Sequence, residues 1–281
     1  MTVVTTWRRL TANRLSFAAL CAIFLVTMAA LLAPWVAPYD PDEPDAERVL
    51  SSVSLRHPLG TDTYGRDQLS RLVHAGRIDL LVALGATALA LTLGSALGAV
   101  AGYRGGWVDQ LMMRGVDAVM AFPAFILAMA ITAALGNAIV NVVVAIAITH
   151  VPIYTRLIRG EMLKARETEY ADAARTVGNR PWQIVLGHLL PNCVPPLIVQ
   201  ATLAMGFAIL TVAALSFIGL GIQPPQSECG QMTAEGAGYV FSGEWWLVLF
   251  PGLAIMVTVL AFNLVGDTLR DVLDPRMRGV R

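Results

Sequence analysis

Polar and apolar positions along this chain fall into long blocks. Uncharged runs cover 25 residues between Arg14 and Asp40, 24 between Asp79 and Arg104, 38 between Asp117 and Arg156, 47 between Arg180 and Glu228, and 22 between Glu244 and Asp267. A helix rises about 1.5 Å per residue, so about 20 residues cross a hydrocarbon layer about 30 Å thick. The 38-residue run is long enough for two helices and carries the turn signal Leu135-Gly136-Asn137 inside it. In the 47-residue run, Pro191, Pro195 and Pro196 delay the helix until about Leu197. The pattern predicts an all-α membrane protein with six transmembrane helices.

These runs divide the chain into residues 1–38, an N-terminal segment with the first helix; 39–77, a segment between crossings; and 78–281, five further helices with a long loop at 159–195. The first apolar run follows Arg8, Arg9 and Arg14. It exceeds the roughly 7–15 residues of a signal-peptide core and lacks a clear small-x-small cleavage site, so it reads as a retained helix. Segments rich in basic residues stay on the cytoplasmic side. With the N-terminus inside, the inner segments carry 15 Lys or Arg and the outer ones 5, all between Arg48 and Arg77. The expectation is therefore that both termini are cytoplasmic.

Composition narrows the function. Hydrophobic residues make up 56% and charged residues 14%, against roughly 25% charged in soluble domains. A water-soluble enzyme is excluded by the lack of a polar shell. Twenty basic and twenty acidic residues cancel, so no global field attracts nucleic acid. The only lysine, Lys164, has no glycine-rich loop before it, so the chain has no phosphate-binding Walker motif. No His-Glu-x-x-His run occurs, and an isolated histidine does not make a metal site.

Several local patterns carry expectations. Gly94, Gly98 and Gly102 recur every fourth residue and leave a bare groove for a second helix. Pro123 and Pro152 are expected to kink their spans. Leu69, Leu72 and Val73 lie at helical spacing in 62–76, suggesting a short helix resting on the membrane surface. Tyr239, Trp245 and Trp246 read as interfacial anchors before the last span. Glu228, Glu235 and Glu244 read equally as a wet loop or as a contact for a binding protein. Solvation or local capping is the expectation for His57 and His74. Asn141, His150 and Gln200 are polar groups within spans, where such side chains face protein or water. They are the candidate substrate-path residues, with packing the stronger reading for His150.

The most specific segment runs from Glu167 to Asn192. A short helix ends at Gly178, which tolerates the left-handed conformation, and a second begins with Pro181 in its first turn. Ala173 and Ala174 make one side small enough for a partner to approach, with Asp172 and Arg175 at its rim. Asp172, Ala173, Ala174, Gly178, Leu190 and Pro191 stand at the spacing of the Glu-Ala-Ala signature of bacterial ABC importer permeases, which this stretch resembles. Asp172 stands where the general pattern has Glu, and His188 where it has Ile.

A longer resemblance covers about Pro38 to Arg276. His57-Pro-Leu-Gly-Thr-Asp62, Gly65-Arg66-Asp67, Tyr103-Arg-Gly-Gly-Trp-Val-Asp109, Phe122-Pro123, Leu215-Ser-Phe-Ile-Gly-Leu-Gly221, Ala261-Phe-Asn-Leu-Val-Gly-Asp267 and Asp274-Pro275-Arg276 are similar to the C-type permease of dipeptide, oligopeptide and nickel importers. Cys229 departs from it, many relatives having Trp before the glycine. The resemblance implies the type I importer permease fold in the bacterial cytoplasmic membrane. It also implies a second homologous permease, an extracytoplasmic solute-binding protein, and ABC ATPases docking around Asp172 to Gly178. ATP and Mg would be used by those partners, with no cofactor on this chain. Peptide import is the first reading, nickel or metal-chelate import the alternative. A stand-alone channel or secondary transporter is the rival from another class.

Overall fold

The computed structural model describes residues 13–273. Arg8 and Arg9 of the basic N-terminal run, and Asp274, Pro275 and Arg276 of the last motif, lie outside the described residues. Within 13–273 the chain is helical, its one β pairing being the isolated antiparallel bridge of Thr61 and Asp67.

The long helices are α1 (Arg14–Leu31), α2 (Gln68–Arg104), α5 (Ile139–Ala165), α7 (the continuous helical run Pro181–Phe217) and α9 (Trp246–Leu273), each long and apolar enough to cross a membrane. Between them lie α3 (Gly106–Met120), α4 (Ala124–Leu135), α6 (Glu169–Thr176) and α8 (Cys229–Ala237). α6 marks one end of the bundle and α8 the other.

The third span is bent far more sharply than the expected kink. α3 and α4 meet at 85°, and Pro123 is the residue at the break rather than a kink within a helix. The cause is local, because proline disfavours the α conformation in the residue before it and removes a donor. α4 has 12 residues, a rise of about 18 Å, so only the bent pair together can count as a sixth span. Pro152, by contrast, lies inside the unbroken α5. The turn expected at Leu135-Gly136-Asn137 is present, with Gly136 at φ +88° between α4 and α5.

Two further expectations are corrected. α7 does not wait for Leu197. It begins at Pro181 and passes through a π turn (Val185–Leu189) and a 3-10 turn (Leu190–Cys193) before its regular part, Val194–Phe217. Pro191, Pro195 and Pro196 fall in the first turns of these pieces, where a missing N–H is tolerated. Residues 68–76, expected as a separate short helix, are continuous with the span as the start of α2.

α2 and α5 form the centre, and the glycine groove lies between them. A Cβ at Gly94 would come within 2.5 Å of the Tyr154 Cβ and one at Gly102 within 2.6 Å of the Met162 Cβ. α7 and α9 pack beside this pair, with Gly206 of α7 against Val259 and Asn263 of α9. α1 lies on the outside against α9, where the Ser16 and Thr268 hydroxyls are 2.7 Å apart.

Candidate functional site

The loop after α5 is folded as its residues demand. Thr168 precedes α6, Gly178 turns the chain at φ +88°, and Pro181 opens α7. The turn closes by Gly178 N–H donating to the Arg175 carbonyl at 2.9 Å and Asn179 N–H to that of Ala174 at 3.2 Å. These bonds satisfy carbonyls otherwise left open at a helix end. Asp172 accepts from Arg175 at 2.7 Å, and Arg175 also donates to the Arg166 carbonyl at 3.0 Å. The loop is thus pinned to α5, and through Arg166, which donates to the Gly102 carbonyl, to the end of α2.

The two alanines part company. Ala173 is exposed, whereas Ala174 is buried with Ala171, Ile184 and Leu189 in the core cluster reaching up to Tyr154 and Met162. Ala174 therefore seats the loop on the core, while Ala173 alone of the two stands at the surface. Leu190 packs against the same cluster, and Pro191 is exposed. The outward face of the loop is apolar: Val177 is 82% exposed and Trp182 58%.

At this same end a cleft of about 760 Å³ opens between α5, α7 and α9. Glu161, Lys164, Asn192, Gln200 and Arg270 supply its polar groups, with apolar walls that include Leu203. Of the three candidate path residues, only Gln200 lies there. Asn141 donates to the Leu135 and Gly136 carbonyls at 2.6 and 3.2 Å, holding the α4–α5 turn at the other end. The His150 ring is 2.9 Å from the Ile146 carbonyl in its own helix. The structure does not bring the three together.

The α8 end contains a buried ionic lock that the sequence reading missed. Asp62 accepts from Arg66 at 2.7 Å and from Arg71 at 2.5 Å, and Glu235 of α8 accepts from Arg71 at 2.9 Å. Asp67 caps α2 through the Ser70 N–H and lies 2.8 Å from His57. His57 and both arginines are buried, so neither solvation nor a surface helix describes them. In 68–73 the polar Gln68, Ser70 and Arg71 are buried, while Leu69, Leu72 and Val73 are only partly so, inverting the expected amphipathic face. Trp246 is 7% exposed and donates to the Thr61 carbonyl at 3.2 Å, so it clamps this segment rather than anchoring in lipid. Glu228 is no wet-loop residue either. It is buried and caps α8 by accepting from the Gly230 and Gln231 N–H groups at 2.9 and 2.8 Å. Burial pushes its pKa up from 4.5, and those two donors pull it back.

Residues 94–279 match the family described as binding-protein-dependent transport system inner membrane component, and residues 4–53 match the N-terminal transmembrane domain of oligopeptide transport permease C. The chain belongs to this permease family. The permease is 43% identical over 278 residues to the di/tripeptide transport system permease protein of Pseudomonas aeruginosa, covering 97% of this chain and 91% of that one. It is 42% identical to the dipeptide transport system permease protein of Alkalihalophilus pseudofirmus, over 99% and 92%. With the glutathione transport system permease protein of Pectobacterium atrosepticum it shares 39%, over 97% and 90%.

Two ion pairs of this permease also went unforeseen. Arg159 of α5 donates Nη2 to Asp109 of α3 at 2.6 Å, and Arg156 to Asp117 at 2.6 Å. Asp109 ends a motif that carried the resemblance, but its partner is 50 residues away. Only the fold pairs them.

Proposed function

We propose that this permease is the membrane subunit of an ATP-driven, binding-protein-dependent importer of short peptides. It forms part of the translocation path with a second homologous permease and receives cargo from an extracytoplasmic binding protein. Both termini, and with them the α6 end, face the cytoplasm, in keeping with the excess of basic residues in those segments. ATP and Mg are used by separate ATPase subunits that seat on the α6 loop.

The observation that carries the coupling role is the form of that loop. Its inner side, Ala171 and Ala174, is locked into the core next to α5, while Val177 and Trp182 stand exposed beside the charged pair Asp172 and Arg175. A displacement applied to the exposed face must then move α5 and α2, the condition for biasing two transmembrane states from outside the membrane. The short-peptide cargo rests on the relatives, whose names specify dipeptides, tripeptides and glutathione.

The test is uptake by a strain lacking this chain, given labelled dipeptide, labelled longer peptide or labelled nickel, with the chain restored as control. Loss of dipeptide uptake that returns on restoration is expected. Unchanged peptide uptake with loss of nickel uptake would overturn the cargo assignment.

A further inference from the structure

The cleft at the α6 end has a donor set with a definite chemical bias. Lys164 is paired with Glu161 at 2.9 Å, so those two charges cancel. Arg270 is exposed and enters no ion pair among the described residues. Gln200 makes no hydrogen bond there either, and Asn192 spends its amide N–H on the His188 carbonyl, leaving its oxygen open. Among the described residues, the surplus in the cleft is thus one guanidinium and one complete amide. A guanidinium fork selects a planar carboxylate, and a free carboxamide complements a peptide N–H and C=O.

The chemistry of Gln200 bears on the choice between an aqueous ligand and lipid. It lies within the apolar run Val194–Phe217 of α7. An amide without a protein partner there is disfavoured against acyl chains, which offer it nothing. The volume, about 760 Å³, falls in the range of small-molecule sites, roughly 300–1,000 Å³.

We propose that the cleft between α5, α7 and α9 is a binding site for the C-terminal end of a short peptide, with Arg270 taking the carboxylate and Gln200 the adjacent peptide amide. The paired Glu161 and Lys164 supply the polar rim, and Leu157 and Leu203 the wall for an apolar side chain. This inference rests on the peptide-import reading and adds to it a place on the permease itself where cargo is recognised at the α6 end.

The test uses the purified importer, with its permease and ATPase partners but without nucleotide or binding protein. Binding of labelled alanyl-phenylalanine is compared with that of its C-terminal amide. The acid should bind saturably and about tenfold tighter than the amide, the size of one charge-assisted contact. Arg270→Gln should weaken the acid about tenfold and leave the amide unchanged, a selectivity that general damage to the helix would not produce. Gln200→Leu should weaken both. Equal affinity for acid and amide, or an Arg270→Gln variant that binds the acid normally, would overturn the proposal. Phosphatidylglycerol that co-purifies, is lost in Arg270→Gln and is not displaced by the dipeptide would also overturn it, in favour of lipid. Cellular dipeptide uptake separates the two readings. Uptake that depends on this chain, without cleft binding, sinks only the site. Uptake that does not depend on it sinks the peptide reading.

Discussion

Replacing Arg71 with methionine should strongly destabilise the α8 end of this permease. The guanidinium is 1% exposed and lies 2.5 Å from Asp62 and 2.9 Å from Glu235, joining the start of α2 to α8. Methionine keeps most of the apolar bulk but leaves two carboxylates facing each other with only Arg66, which is 2.7 Å from Asp62 and 3.4 Å from Glu235. Removing one partner from a buried ion network costs about 3–5 kcal/mol. The surviving Arg66 contacts place this case near 3. At roughly 2–4 °C per kcal/mol, the thermal midpoint in mild detergent should fall by about 6 °C or more. Arg66→Met should cost less, because Asp62 and Glu235 both keep Arg71. Adding Asp62→Asn and Glu235→Gln to Arg71→Met should restore part of the loss, since the stranded charges are then gone. A midpoint for Arg71→Met within about 2 °C of the parent, or a triple variant worse than the single one, would refute the reasoning.

Other changes test the remaining contacts. Gly94→Leu should abolish the close approach of α2 and α5, since even a Cβ there comes within 2.5 Å of Tyr154, well inside the roughly 3.5–4.0 Å of carbon contact. Gly115→Ala, with open space around it, should be neutral, and equal folded yields from the two would contradict the groove. Gly178→Leu places a side chain at φ +88°, costing roughly 1–2 kcal/mol. Transport should drop while the chain still inserts and Gly178→Asn retains most activity; full transport by the Leu variant would count against the turn's role. Glu228 has its pKa raised by burial, so the folded state holds its proton to higher pH than the unfolded state does. Its stabilising share is present below the unfolded value, near 4.5, and is lost as pH rises through the folded value. Glu228→Gln should flatten the corresponding fall in thermal midpoint above pH 4.5, and an unchanged slope would show that another group is responsible.

The spans were legible because lipid imposes a one-dimensional rule: a crossing helix must be apolar for about 20 residues whatever it packs against. For the same reason the α4–α5 turn at Gly136 and the α6 turn at Gly178 could be read directly, each being fixed by the φ of one glycine. At Pro123 the sequence predicts a kink but not an 85° turn between two helices, because it names the missing donor and not the direction of the chain after it. The glycine groove on α2 was visible as a stripe. That α5 fills it was not.

What the sequence by itself determined, then, is the apolar spans, the turns at Gly136 and Gly178 and the family-like loop from Asp172 to Pro191, all properties of consecutive residues. The tertiary structure alone decided which charges meet: Arg71 with Asp62 and Glu235 in a buried network, and Asp109 with Arg159 in a partly buried pair. Two of these pairings join residues 164 and 50 positions apart. Hydropathy treats every arginine as polar and exposed, while a fold that supplies two carboxylates within 3 Å offsets the desolvation cost of burying one. Ala173 and Ala174 show the same limit at the smallest scale. They are adjacent and identical in chemistry, and only the docking of α6 on α5 and α7 makes one a core residue and leaves the other at the surface.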